Sequence, residues 1–473
     1  MLTLRGRKHR VNVYLLRSGL LSVCVLLSAC ASFTAGNLFS HYSAQNARLH
    51  QTVKEGDYAQ ASATLSDYVA GDILDNLEKG RVYLLAEQFE QSRSALALSD
   101  AAVQRQQDQA VISLSATASS AGALAINDNL QEYTPADYEL GFLHLYLGLN
   151  YLHSNQLESA LVEMRRANQV QEQARKNRQA QLEKAQKELR ASGITPNIGS
   201  ILAQYPDAGE TLQAVQSGYL LYVSALLYEA ADDLNSAYVD YRRALAVVPS
   251  NRAVIDGTMR VAKRLGMNEH LSQLTQRYGE RTALHAQQGQ VIIIEEQGVV
   301  DARQNWRLTL PLSDRRGNTV LYSLALPYYP TATPMRFSPL LLNQQALPSD
   351  LLTDVNLMAR HDLSERMPSM VVRQALRVVA KDQIRKESTQ GDGVSSLLLN
   401  VFNTLTEQPD TRSWITLPGR VYAAHHSVKS GEQTLTSDGL SYTFNVPEGG
   451  TTLVWVSRQG SKATIWHRQL GRL

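Results

Sequence analysis

Cysteine is nearly missing from this sequence. Among 473 residues only Cys24 and Cys30 occur, both close to the start. A disulfide framework, a thiolate metal cluster or a redox pair in the body of the chain is therefore excluded. Histidine is sparse, and the single adjacent pair, His425-His426, falls on a predicted strand whose neighbouring side chains point to opposite faces. His361-Asp362 falls within a predicted helix, where neighbours do not converge. No metal site is expected. There is no P-loop, no Gly-rich dinucleotide turn and no Gly-x-Ser-x-Gly elbow. No catalytic residue and no cofactor is expected, and the chain is read as a non-enzyme. The apolar run from Gly19 to Leu27 is shorter than the roughly 20 residues that a membrane-spanning helix needs.

What is present begins with a targeting signal. Arg5, Arg7, Lys8, Arg10 and Arg17 form a basic start, followed by an apolar run from Gly19 to Leu27 and the small residues Ser28 and Ala29. This is the pattern of a secretory leader. Leu27-Ser28-Ala29-Cys30 resembles a bacterial lipobox. That resemblance implies cleavage before Cys30, acylation of Cys30 and, with Ala31 next, sorting to the outer membrane facing the periplasm. Two or more acyl chains give stable anchoring. Residues 1–29 would be the signal peptide and 30–44 a lipidated tether. Removing 1–29 takes five basic residues and no acid, leaving 41 basic against 44 acidic residues, net −3. The basic balance of the full chain then gives no argument for nucleic-acid binding.

Two textures follow. From about Ser40 to Tyr278 apolar residues recur at helical spacing, and Pro135, Pro196, Pro206 and Pro249 sit at plausible helix boundaries. From Gln290 on, β-branched and alternating segments separated by turn residues predict strands, Val291-Ile292-Ile293-Ile294 first among them. The boundary is placed at 280. The helical half repeats itself. Gly148, Tyr151, Ala160 and Ala167 have the spacing of Ala225, Tyr228, Ala237 and Ala244. Small residues at these places let two helix backbones approach. The pattern resembles the tetratricopeptide (TPR) repeat, a pair of antiparallel helices. A related pair is expected at 45–100. A long polar helix is expected near 157–190, with Leu182, Ala185 and Leu189 as a short apolar stripe. Residues 113–125 are small and nearly uncharged, fitting either a link or a buried turn. In the second half, helices are predicted at Ser349–Met367, Met370–Glu387 and Ser395–Leu405, within 281–473. The fold class expected is α+β and multidomain: TPR-like helical hairpins, then a mixed β-sandwich-like domain with inserted helices.

Several segments together resemble an uncharacterised family of bacterial TPR-containing lipoproteins. They include Tyr146-Leu147-Gly148-Leu149-Asn150-Tyr151, Ala160 to Asn168, Ala237 to Ala244, Leu324 to Tyr329, and Asp410-Thr411-Arg412-Ser413-Trp414-Ile415-Thr416-Leu417-Pro418. Members look like neighbours of lipoproteins that activate penicillin-binding proteins. The resemblance implies an outer-membrane adaptor that holds envelope proteins in place, possible roles being in cell-envelope or peptidoglycan assembly. By the TPR resemblance, the first helix of each repeat lines a concave partner-binding groove, here Phe142, Leu145, Leu149, Tyr219, Tyr222 and Leu226. Arg412 and Trp414 form a second contact candidate, because Trp and Arg are enriched at binding hot spots. The structural alternative has Arg412 paired with a carboxylate and Trp414 in the core. Two other functions compete: a glycan- or peptidoglycan-binding module in the β-domain, and an envelope hydrolase.

Overall fold

The computed structural model describes residues 41–65, 70–113, 132–171, 173, 212–280, 285–313, 319–331, 335–388, 409–437, 439–460 and 462–473. The signal peptide, Cys30, the small-residue link, the polar helix beyond 171 and the helix expected at 395–405 lie outside these residues.

Helices occupy the first part. They are α1 (Tyr42–Gln45), α2 (Ala47–Glu55), α3 (Tyr58–Ala63), α4 (Asp72–Leu85), α5 (Phe89–Ser113) and α6 (Asp137–His153). A helix α7 follows over 157–171. Then come α8 (Leu212–Val215), α9 (Gly218–Ala230), α10 (Leu234–Val247), α11 (Arg252–Arg264) and α12 (Asn268–Tyr278). Ten of these form five hairpins with one turn chemistry. One or two residues past the ends of α2, α4, α6, α9 and α11 stand Gly56, Glu87, Asn155, Asp232 and Gly266, all at positive φ between 60° and 81°. In each, the next N–H reaches back five residues, as from Asp57 to Thr52 O and from Asp233 to Tyr228 O. This closure satisfies carbonyls that a helix end leaves free. The pair expected at 45–100 is in fact two hairpins, α2–α3 and α4–α5. Ala160, Ala167, Ala225, Ala237 and Ala244 are fully buried, and a Cβ on Gly148 would lie 2.4 Å from Met164 Cε. The small residues do stand where helices meet.

Strands follow: β1 (Gln288–Gln297), β2 (Gln304–Ser313), β3 (Thr319–Tyr328), β4 (Leu341–Leu342), β5 (Gln345–Ala346) and β6 (Asp350–Asp354). After α13 (Val355–Ser388) come β7 (Arg420–Lys429), β8 (Gly431–Ser437), β9 (Leu440–Val446), β10 (Thr451–Arg458) and β11 (Ala463–Gly471). The central sheet has the order β11-β10-β1-β7-β6, with β1 parallel to β10 and antiparallel to β7. One face carries Val291, Ile293, Ala424, Val454 and Val456 and packs on the sheet β5-β4-β8-β9 through Leu342, Leu435, Phe444 and Val446. The other face carries Ile292, Ile294, Ala423, Leu453 and Trp455 and packs on the helices. Strands buried on both faces read as unbroken apolar runs rather than alternation. That accounts for Val291 to Ile294 and for Leu453-Val454-Trp455-Val456.

Three expectations are corrected here. The helical and strand regions share one hydrophobic core that joins Leu74, Phe142 and Tyr219 to Ile292, Trp414 and Trp455. Residue 280 thus marks a change of secondary structure, with no division of the core. Second, 349–387 is strand β6 and then one helix with Pro368 inside it. Proline costs that helix a hydrogen bond, but Leu363, Met367, Met370 and Val371 on either side of it pack together on Leu324 and Leu326 of β3. Packing across the proline outweighs the local break. Third, the tether does not extend to 44: Tyr42 and Ser43 are buried.

Gly218 opens α9 where it abuts β6. A Cβ there would lie 2.3 Å from Leu352 O, a backbone atom that cannot rotate aside. Gly218→Ala is expected to destabilise the protein by about 1–3 kcal/mol, as overpacking does, read as a lowered urea midpoint at unchanged slope.

Candidate functional site

The Asp410–Pro418 motif runs through the seam between helices and central sheet. Asp410 grips Arg412 from both oxygens, at 2.9 Å to Nε and 2.8 Å to Nη2. Arg412 lies 5.6 Å from the Tyr133 ring centroid, and its carbonyl accepts from Arg303 Nη1 at 3.0 Å. Trp414 is 0% exposed. Its indole N–H donates to Thr416 Oγ1 at 3.1 Å, and its ring meets Tyr146 edge-on at 5.9 Å. The contact role for Arg412 and Trp414 is therefore replaced by the structural one. A bulky aromatic side chain closes the seam, and its arginine neighbour is neutralised two residues away.

Two buried glutamates from the helices hold consecutive backbone amides of this motif. Glu139 accepts from Trp414 N at 2.8 Å and from Ala136 N at 2.7 Å, and also from the Tyr133 hydroxyl. Glu78 accepts from Ile415 N at 2.8 Å, Thr416 Oγ1 at 2.6 Å and Tyr42 OH at 3.1 Å. Burial pushes the Glu78 carboxyl up to about 8, against hydrogen bonds that pull it down. Burial likewise raises Glu139. Ser43 N donates to Thr411 Oγ1 at 3.2 Å, so the first described helix is fastened to the same motif.

Beside these lies a buried ion pair. Arg81 Nη2 stands 2.5 Å from Glu296 Oε2 and 2.9 Å from Ser457 Oγ. Glu296 accepts from Tyr146 OH and Tyr219 OH, both at 3.1 Å, and from Ser457 Oγ at 2.8 Å. Trp455 Nε1 donates to Tyr219 OH at 2.9 Å. The Glu295-Glu296 pair thus points to opposite faces of β1, with Glu295 paired to Arg458.

The six groove candidates are corrected on the same ground. Phe142, Leu145, Leu149, Tyr219, Tyr222 and Leu226 are all at most 2% exposed. Phe142 meets Tyr219 edge-on at 6.1 Å, and Tyr222 meets Tyr241 at 6.0 Å. The central sheet fills the face that a free groove would present. The sequence carries the signal: Gly218 to Tyr228 has no charged residue, and a helix apolar all round is buried all round.

Open concave surface lies elsewhere. A cleft of about 860 Å³ is bounded by Glu295 and Gln297 of β1, Arg420 and Tyr422 of β7, and the segment 335–339. A neighbouring one of about 390 Å³ shares Gln297, Met335, Phe337 and Arg420 and extends to Lys54 on α2. Four of its charges form two pairs: Arg420 with Asp354 at 2.9 Å, and Arg360 with Asp301 at 2.8 Å. Met335 projects from its rim, 46% exposed, and Phe337 stacks under the Arg458 guanidinium at 5.2 Å. Apolar side chains among fixed ion pairs suit holding a ligand. These residues escaped the sequence reading because 329–340 has no periodicity. Its signal was the clustering of Pro327, Pro330, Pro334, Pro339 and Pro348 in a long connection.

Among the described residues no three His, Cys, Asp or Glu side chains are grouped to hold a metal ion. His425 pairs with Asp256 of α11 at 2.9 Å while His426 is exposed on the other face of β7. No helix among the described residues is long and apolar enough to cross a membrane. No protein-family model matches the chain, and no curated protein matches it.

Proposed function

We propose that this chain is an outer-membrane lipoprotein, anchored through Cys30 and facing the periplasm, that binds other envelope proteins without turnover. Its helical hairpins are of the TPR type. The shared hairpin turn supports this, as does the separation of 34 residues between the turn positions Asp232 and Gly266, the length of one such repeat. The docking surface is the cleft around Met335, Phe337 and Arg420, since the inner helical face is occupied by the protein's own sheet. The observation that carries the reading is this open cleft, apolar on its rim at Met335 and Phe337, with Arg420 and Arg360 already held by Asp354 and Asp301. Such a surface offers contact area with little charge left to desolvate.

The test is photo-crosslinking in living cells from position Met335, with the exposed Leu98 on α5 as comparison. A discrete protein adduct from Met335 alone is expected, and mass spectrometry names the partner. No protein adduct from either position, with the chain lipidated and membrane-associated, would sink the adaptor reading. Adducts carrying glycan without protein would replace it by a glycan-binding one.

A further inference from the structure

A second concavity, of about 480 Å³, is built into the last two hairpins and lies outside the cleft described above. Arg242, Tyr238 and Leu245 enter it from α10, and His270, Leu274 and Arg277 from α12; no Asp or Glu lines it. This sets it apart from its surroundings. Arg243, Arg260 and Arg264 nearby are each paired, with Asp240 at 3.5 Å, Glu229 at 2.7 Å and Asp232 at 2.7 Å. Among the described residues neither Arg242 nor Arg277 has a carboxylate partner. Both guanidiniums lie against aromatic faces, Arg242 5.9 Å from the Tyr238 ring and Arg277 5.2 Å from that of Tyr278. Stacked in this way, a guanidinium keeps its edge N–H groups for an anion.

The wall between the two arginines is fixed. Tyr238 OH and His270 Nδ1 are 3.1 Å apart, and their rings stack at 6.3 Å. No residue of α12 is buried, so the helix stands off from the array and leaves the space open. Leu245, Leu274 and the ring of Pro249 supply apolar lining. Two uncompensated forked cations beside an apolar surface call for a ligand with a carboxylate next to an apolar group. Planar guanidinium edges match the two oxygens of a carboxylate.

We propose that this pocket binds the free carboxyl end of a peptide whose last side chain is apolar. It goes beyond the adaptor reading, since it rests on other residues, and it stands or falls independently of the cleft.

The test uses the purified full chain and fluorescence polarisation with a fluorescein-labelled tetrapeptide, Ala-Gly-Ala-Leu, as the free acid and as the C-terminal amide. The acid is expected to bind at least about tenfold more tightly than the amide, a difference of about 1.4 kcal/mol. The double variant Arg242→Gln/Arg277→Gln is expected to lose that preference with an unchanged thermal midpoint, because both side chains are exposed. Tyr238→Phe is expected to keep it, since the phenol bonds His270 and not the ligand. Equal binding of acid and amide, or no binding of either at millimolar concentration, would overturn the proposal. Displacement of the peptide by an equal concentration of inorganic phosphate would also overturn it, by leaving only a general anion site.

Discussion

Arg81→Met is expected to destabilise the fold by about 3–5 kcal/mol, the cost of leaving one half of a buried ion pair without its partner. Arg81 and Glu296 are both fully shielded from water. Removing the guanidinium leaves Glu296 with three hydroxyl donors, from Tyr146, Tyr219 and Ser457, and no countercharge. Hydroxyls alone do not repay desolvation of a carboxylate. The pair spans α4 and β1, so the loss is felt where helices meet sheet. The companion variant Arg81→Met/Glu296→Gln removes both charges and is expected to recover most of the loss. Urea unfolding of the two variants makes the measurement. A single variant within 1 kcal/mol of the parent would mean that the network contributes little. Because one core serves both regions, helical and near-ultraviolet signals are expected to lose amplitude in one transition.

Glu78→Gln is expected to change the pH dependence of stability between pH 4.5 and 8. The Glu78 carboxyl has its ordinary value of 4.5 in the unfolded chain and about 8 in the folded one, because burial disfavours the charge. Between those values the folded protein keeps a proton that the unfolded chain releases. Stability from this group is therefore complete below pH 4.5, falls by at most about 1.4 kcal/mol per pH unit as pH rises, and levels off above 8. The total loss is several kcal/mol. Glutamine presents the same shape as the protonated acid to Ile415 N and Thr416 Oγ1. Parent and variant should be similar near pH 4.5, and the variant should be the more stable by pH 8. Glu139, raised in the same direction, leaves the variant a slope of the same sign. Identical slopes in parent and variant from pH 5 to 8 would show that Glu78 is charged in the fold.

Both effects arise at or beside the Asp410–Pro418 motif, which the sequence offers as a second contact candidate, and for a reason that sequence does not display. Asp410 to Pro418 is held from several sides. Trp414 and Ile415 offer amides to two glutamates, Thr416 bonds to both Glu78 and the Trp414 indole, and Arg412 is clasped by Asp410. A motif of Trp, Arg and Asp reads equally as a contact surface, because these residue types serve both ends. Only the positions of Glu78 and Glu139, more than 250 residues earlier in the chain, decide between them.

Local chemistry alone determined where helices end and strands begin, since α12 closes at Tyr278 and β1 opens at Gln288 around the expected boundary at 280. It also determined the close helix contacts at Gly148 and Ala225, and the opposite facing of His425 and His426. These follow from spacing, which backbone geometry converts directly into direction. Tertiary structure decided which apolar face stays open. The periodicity of Tyr219, Tyr222 and Leu226 says that they face something apolar, and a partner's side chains or the inner face of the protein's own sheet satisfy it equally. Here Tyr219 meets Trp455 and Glu296 of the sheet and Tyr222 packs on Tyr241 of α10, because burying two faces of one chain against each other needs no second molecule. The concave surface left open then falls to the irregular, proline-marked segment and to α12, none of whose residues is buried.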